Sequence, residues 1–219
     1  MKQILLFSSF IFSSLLSFAQ IGLPIQTSLL PKNNLVVNYD FSNSSSFTRG
    51  SSTVTNIAGT ASGNATIYNA PIFINSLGYI YFNGSTQYLA TPNLKTYFKS
   101  VNTSVQKSFT ISFWFYPTAT TGVLVSELDS QTPSSGFHAS NIELINGIIN
   151  YRVWSSVTPV TTSTITLNQW YHVAMVYDGA SLKGYLNGVL QGIHTNVNNN
   201  NLMGANAINP LYFGNPPKT

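Results

Sequence analysis

The sequence predicts an all-β chain folded as an antiparallel two-sheet β-sandwich of the jelly-roll kind. Three observations lead there. Short runs of alternating apolar and polar residues recur from Leu35 onward, and turn dipeptides such as Asn83-Gly84, Asn146-Gly147, Asp178-Gly179 and Asn187-Gly188 punctuate them. After residue 19, no segment carries a helical period.

The amino terminus comes first in the chain and in the argument. Lys2 precedes an apolar run over residues 4–18 that only serines interrupt, and Ser17-Phe18-Ala19 closes it with small residues at the two positions a signal peptidase reads. Residues 1–19 therefore read as a signal peptide cleaved after Ala19. A retained membrane anchor is the alternative, but a spanning helix needs about 20 predominantly apolar residues and this run is shorter. No later stretch is long and apolar enough to span a bilayer, so the chain is expected to be secreted, extracellular or at the cell surface, without a membrane-spanning segment after cleavage. Residues 20–34 form a lead-in containing proline, and residues 35–219 suit one domain, since sandwiches commonly reach about 200 to 250 residues.

The strands follow in order. Leu35, Val37, Tyr39 and Phe41 alternate with more polar neighbours and give a first strand with one face in the core. Residues 42–66, rich in Ser, Thr, Asn and Gly, are expected as a long loop. Ile72-Phe73-Ile74 and Tyr79-Ile80-Tyr81-Phe82 are strands, and Asn83-Gly84 is expected to turn the latter tightly toward Tyr88-Leu89. Phe109, Ile111, Phe113 and Phe115 share one face of the clearest strand, which Pro117 ends because it has no N–H to donate. Asn146-Gly147 predicts a two-residue hairpin that sets Ile145 against Ile148, Leu144 against Ile149 and Ile142 against Tyr151. On the other face it sets Glu143 against Asn150 and Asn141 against Arg152. Residues 170–177 are apolar on both faces, as a central strand requires, and Asp178-Gly179 leads into residues 182–186.

Composition excludes several functions. The net charge of +4 arises from only 9 basic and 5 acidic residues, and the lysines are scattered, with no stripe to track phosphates. No nucleic acid partner is expected. The absence of cysteine in an exported chain rules out disulfide staples, so stability must come from burial and backbone pairing. A surface of Ser, Thr and Asn suits neutral, hydroxyl-rich ligands.

Several stretches carry a family resemblance when taken in order: Tyr39-Asp40-Phe41-Ser42-Asn43, Tyr81-Phe82-Asn83-Gly84-Ser85 with Tyr88-Leu89, residues 108–117, Asn146-Gly147, residues 170–179, Tyr185-Leu186-Asn187-Gly188 and Leu211-Tyr212-Phe213-Gly214. Together they resemble the laminin-G-like jelly rolls of the concanavalin A-like lectin and glucanase superfamily. The resemblance implies a closing strand after Gly214 that returns beside the first. The domain over residues 35–219 is accordingly read as lacking that final strand.

The resemblance also frames the candidate sites. Retaining β-glucanases of this superfamily carry Glu-x-Asp-x-Glu on one strand, and Glu127-Leu128-Asp129 is similar, but the third position is Gln131. An amide cannot give and retake the leaving-group proton, so no catalytic residue is assigned and the chain is read as a non-enzyme. His138, His172 and His194 lie in no Gly-x-Ser-x-Gly context. His172 reads as a strand residue with a structural hydrogen bond, and His138 and His194 as loop residues. With neither a His-x-x-x-His nor a cysteine pair, zinc has no ligand set. Calcium takes oxygen ligands, and the resemblance implies an ion at the sandwich rim, where Asp129, Asn141 and Asn215 are the similar positions. The alternative is that Asp129 and Asn141 are turn formers and Asn215 merely precedes Pro216. For ligand contact, Trp154 with Asn141, Asn150 and Arg152 makes an aromatic-plus-amide face suited to a sugar. Against this, Trp154 can pack under a loop while Arg152 pairs with Glu143.

The function expected from these readings is a non-catalytic recognition module for a glycan or a cell-surface protein, within a larger secreted or surface polypeptide. A glucanase-type glycoside hydrolase and a purely structural or adhesive spacer are the alternatives.

Overall fold

Alternating sequences become strands where one face can be buried, and the computed structural model is built almost wholly of them. It describes residues 2–7, 33–60, 63–74, 78–98, 107–128, 138–152, 159–195 and 211–214. In chain order the strands are β1 (Lys2–Phe7), β2 (Leu35–Asp40), β3 (Thr53–Val54), β4 (Ala65–Tyr68), β5 (Ile72–Ile74), β6 (Tyr79–Tyr81) and β7 (Tyr88–Ala90), followed by a single helical turn α1 (Lys95–Phe98). Then come β8 (Phe109–Phe115), β9 (Gly122–Leu128), β10 (His138–Ile145), β11 (Ile148–Tyr151), β12 (Val160–Thr164), β13 (Tyr171–Tyr177), β14 (Leu182–Leu186), β15 (Val189–His194) and β16 (Leu211–Gly214).

A six-stranded sheet, ordered β15-β14-β13-β8-β1-β2, faces an eight-stranded sheet, ordered β12-β11-β10-β9-β16-β7-β4-β3. The strands β5 and β6 form a separate ribbon. Val37, Tyr39, Ile111, Val173, Met175 and Tyr177 of the first sheet are fully buried in one cluster with Val125, Ile142, Ile149, Tyr151 and Leu211 of the second. Each such apolar side chain contributes about 1.5 to 3 kcal/mol by leaving water, which is the stabilisation a cysteine-free sandwich depends on.

The hairpin at Asn146-Gly147 forms in the register expected, with Ile145 opposite Ile148 and Ile142 opposite Tyr151. Both turn residues have positive φ, 51° and 77°, the conformation that Asn and Gly tolerate best. At Asp178-Gly179, the Asp178 carboxylate takes the Lys183 ammonium at 2.7 Å and the N–H groups of Ser181 and Ala180. These partners, Lys183 foremost, hold its pKa down to about 2.

Four expectations change. Residues 42–66 are not a plain loop: Phe47 and Val54 are buried, and β3 and β4 begin a sheet edge there. The core contacts come from apolar residues spaced singly, which a composition reading passes over; Phe47 sits edge-on to Phe41 at 5.4 Å and to Phe73 at 4.9 Å. The Asn83-Gly84 pair does not join β6 to β7, because β6 pairs with β5 and β7 joins the large sheet. Instead, Asn83 Oδ1 accepts from the N–H groups of Ser85, Thr86 and Gln87 and holds a wider turn. His138 and His194 lie at strand ends rather than in loops. Finally, Lys2–Phe7 is a strand inside the six-stranded sheet.

Beyond β2, that sheet ends on a loop. Asn56 accepts from the Asn38 N–H at 2.8 Å and donates to the Val36 carbonyl at 3.0 Å, while the Ile57 N–H reaches the Asn38 carbonyl. The Asn56 amide, the Thr60 hydroxyl, which also donates to the Val36 carbonyl, and one backbone group thus satisfy an edge that would otherwise invite another strand.

The two sheets are clasped by Tyr151, whose ring lies on Gly184 of the opposite sheet and whose hydroxyl donates to the Tyr185 carbonyl at 2.6 Å. A methyl group on Gly184 would overlap that ring, with two of its carbons 2.8 and 2.9 Å away. Gly184→Ala is therefore expected to cost about 1 to 3 kcal/mol and to lower the melting temperature by several degrees. An unchanged melt would show that the ring can retreat.

Candidate functional site

The polar positions on β10 and β11 form the site that the sequence points to most directly. Strand β9 pairs Ser126 with Ser140 and Val125 with Ile142, so Asn141 is an extra residue, a bulge, in β10. Its carbonyl accepts the Arg152 N–H at 2.8 Å, which places Asn141 and Arg152 side by side as expected. The face they share is closed. Asn141 is 0 % exposed and Asn150 6 %, with the Asn150 amide turned to the Ile148 carbonyl. Arg152 is held by Glu143, Nη2 to Oε1 2.5 Å, as an ion pair without an aligned hydrogen bond, since neither Glu143 Oε1 nor Arg152 Nε has one. This is the Arg152–Glu143 pairing that stood as the alternative. Trp154 lies outside the described residues.

Both side-chain polar atoms of Asn141 are buried without a partner, as is the Ser126 Oγ. An unpaired buried amide is costly, so Asn141 as it stands destabilises the strands it sits between. Of the positions similar to calcium ligands, Asn141 is thus a buried oxygen donor in want of a partner, while Asp129 and Asn215 lie outside the described residues. Among the described residues no group of three His, Cys, Asp or Glu gathers to hold a metal. Of the glucanase-like stretch, Glu127 is buried near the end of β9, opposite Ala139 and Leu211, whereas Asp129 and Gln131 fall outside the description.

The open feature is elsewhere, and sequence reading missed it. A cleft of about 460 Å³ lies where the two sheets part, at the end of β8 and the starts of β9 and β13. Strand β8 brings Phe113, Trp114 and Phe115 to it, and Tyr116 follows as Pro117 ends the ladder. Strand β13 pairs Tyr171 with Phe115 and His172 with Trp114, so Trp170 falls next in line beside Tyr116. Their rings are 5.5 Å apart, and Tyr79 from β6 meets the other side of Trp170 edge-on at 5.4 Å. Tyr81 and Tyr116 at the mouth are 42 % and 43 % exposed. Among the described residues no charged residue lines the cleft, and its polar side chains are those of Tyr79, Tyr81, Tyr116, Trp114, Trp170, Thr118 and Thr121. The signal in the sequence was two strand ends rich in aromatics, Phe115-Tyr116-Pro117 and Trp170-Tyr171, which topology brings together at one end of the sandwich.

His172 stands behind this cleft with its ring 5.3 Å from that of Trp114. Its backbone N–H donates to Asn187 Oδ1 at 2.9 Å, and its carbonyl accepts the Asn187 N–H. Burial lowers its pKa, so the ring stays neutral and is suited to packing.

With this geometry in view, the comparisons can be placed. The sequence matches the family described as the concanavalin A-like lectin/glucanases superfamily over residues 83–219. No curated protein matches it in sequence. Among solved structures, domain 4 of AbnA, an extracellular arabinanase from Geobacillus stearothermophilus solved with arabinotriose, is 20% identical with a TM-score of 0.51, over 82% of this chain and 84% of that one. The Trypanosoma rangeli sialidase is 17% identical with a TM-score of 0.55, over 84% of this chain and 27% of its own. The binding domain of Paraclostridial Mosquitocidal Protein 1 is 18% identical with a TM-score of 0.52, over 75% of this chain and 42% of its own. This chain therefore spans less than half the length of the last two.

The orphaned amide gives a direct expectation. Asn141→Leu, close in shape and free of unpaired polar atoms, should raise stability by about 1 to 3 kcal/mol in metal-free buffer. A loss of stability in thermal melting would reveal that the amide has a partner in solution.

Proposed function

From the premise that this chain belongs to the concanavalin A-like lectin/glucanases superfamily, we propose that it is a non-catalytic extracellular recognition module, exported by residues 1–19, that binds a neutral glycan in the aromatic cleft. The observation that carries this reading is the cleft itself: a cavity of ligand size, walled by aromatic rings, with tyrosines and threonines along it and no charged residue among the described ones. Aromatic faces cover the C–H surfaces of a sugar ring, and phenol and threonine hydroxyls bond its hydroxyl groups. A cell-surface glycan or glycoprotein bearing such a chain is the partner this chemistry fits. The arabinanase domain, covered over most of its length and solved with an arabinose oligosaccharide, supports the ligand class by likeness of fold. No helix among the described residues is long and apolar enough to cross a membrane.

Calcium enters this proposal through Asn141, whose side-chain oxygen would supply one neutral ligand at the sandwich rim, with Asp129 and Asn215 as the other donors. A site with one carboxylate among three such residues binds weakly. Millimolar calcium should then raise the melting temperature of the parent protein and leave Asn141→Leu unmoved.

Binding is tested by titrating neutral oligosaccharides, arabinotriose among them, in a calorimeter. Affinity should fall in the roughly micromolar to millimolar range, because a few polar contacts leave little surplus after the costs of association. Trp170→Ala should weaken it at least about tenfold, and Trp154→Ala should leave it unchanged. The reverse pattern would move the site to the β10–β11 face, and no binding to any glycan would favour a structural or adhesive spacer.

The absence of catalysis is proposed on Gln131, which cannot take the acid/base role that a glucanase strand needs. The secreted protein should release no reducing ends from β-glucans or galactans. Turnover above blank that disappears in Glu127→Gln would place the chain among the hydrolases instead.

A further inference from the structure

The cleft changes in character from its mouth to its floor. Tyr81, Tyr116, Thr118 and Thr121 are exposed at the opening, whereas Leu89, Phe113, Leu144 and Phe213 lie buried beneath them. These last four belong to the cluster that joins the two sheets, and the rings of Phe113 and Phe213, one from each sheet, meet edge-on at 5.6 Å. The floor is therefore the core itself, open at one end. A sugar ring alone does not match it. A hydroxyl group carried that deep would lose its water, and none of those four side chains can donate or accept in exchange. An apolar group fits the other way round: it gains by leaving water and brings no polar atom that needs a partner.

Gly122 keeps that floor accessible. It begins β9, lines the cleft and pairs with Leu144, so the pleat that buries Leu144 turns Gly122 toward the same gap between the sheets. A methyl group added at Gly122 would meet nothing within 4 Å, and its φ lies outside the left-handed region that favours glycine. Neither crowding nor backbone conformation calls for glycine here, then, and its effect is to leave the gap open. Glycine in a strand carries an entropic cost and packs nothing, and it often marks the close approach of a ligand.

Among the described residues no charged side chain lines the cleft, so an ionised ligand would give up water without gaining a counter-charge. On the reading of the cleft as a glycan site, on which this rests, we propose that the ligand is a neutral glycoside with an apolar aglycone. The alkyl, acyl or aryl group enters between the sheets past Gly122, against Leu144 and Phe213, and the sugar stays at the mouth among the tyrosines and threonines. The volume of about 460 Å³ is in the range of pockets that enclose drug-sized ligands, which leaves room for the aglycone as well as the sugar. Free glycosides and the heads of neutral glycolipids share this chemistry.

Calorimetric titration of the full chain with methyl, butyl and hexyl β-glucoside, each below the concentration at which it forms micelles, reads the gradient directly. Affinity should rise about three- to fourfold with each added methylene until the gap is full, the factor that burial of a methylene gives. Hexanol, which has no sugar, should bind at least about tenfold more weakly than hexyl glucoside. Gly122→Leu fills the gap with a side chain; it should melt no lower than the parent and abolish the dependence on chain length, while methyl glucoside binds as before. Retention on phosphatidylcholine vesicles carrying glucosylceramide, and not on plain ones, assigns the aglycone to a membrane lipid, and the same gradient without retention assigns it to a free glycoside. Equal affinity along the series with arabinotriose still bound overturns the aglycone and leaves the glycan reading standing. A gradient undiminished in Gly122→Leu overturns it by placing the alkyl chain elsewhere. Hexanol binding as tightly as hexyl glucoside, or no binding by the series and arabinotriose alike, overturns both.

Discussion

The six-stranded sheet holds its outermost strand through a single neighbour, and much else follows from that. Among the described residues Leu35–Asp40 has no strand partner except Lys2–Phe7, and its far edge is closed by Asn56 and Ile57. Buried backbone groups must be paired, so whatever lies between β2 and β8 decides whether Val37 and Tyr39 stay in the core or the sheet ends early at β8. No cysteine bridges the sheets, so the ladder and the side chains it aligns carry the fold alone. The Tyr151 clasp on Gly184 shows how tight that alignment is at the other end of the same sheet.

The same economy separates the closed site from the open one. On β10 and β11 the pleat presents polar side chains, but the ladder pulls Asn141 into a bulge and the Glu143–Arg152 pair fills the space beside it. At the end of the sandwich no described residue fills the gap, so rings that would be core residues further along the strands become walls. Trp170 and Tyr116 line the cleft because they follow the last paired positions of β13 and β8, where burial gives out.

Much of the fold could be read from the sequence because period-two alternation and turn dipeptides are local. The β10–β11 register followed from Asn146-Gly147 alone, and the both-faced apolar run at Tyr171–Tyr177 announced a central strand. What could not be read is set by long-range partners. Nothing near Asn83-Gly84 says that β6 will leave for β5, and nothing near Phe47 says that Phe41 and Phe73 will meet it. The candidate site shows the same division. Spacing correctly put Asn141 beside Arg152 and foresaw the partner of Arg152, yet burial of the whole face depends on neighbours that spacing does not contain. The aromatic cleft needed Tyr79, Tyr116 and Trp170, far apart in the chain, to be placed at one end of the molecule.

The amino-terminal strand β1 and the cleft are joined through β2 and β8. Phe41 directly follows β2, and Phe113, Trp114 and Phe115 end β8; all four line the cleft. Strand β1, between β2 and β8, therefore bears on how far apart those walls stand.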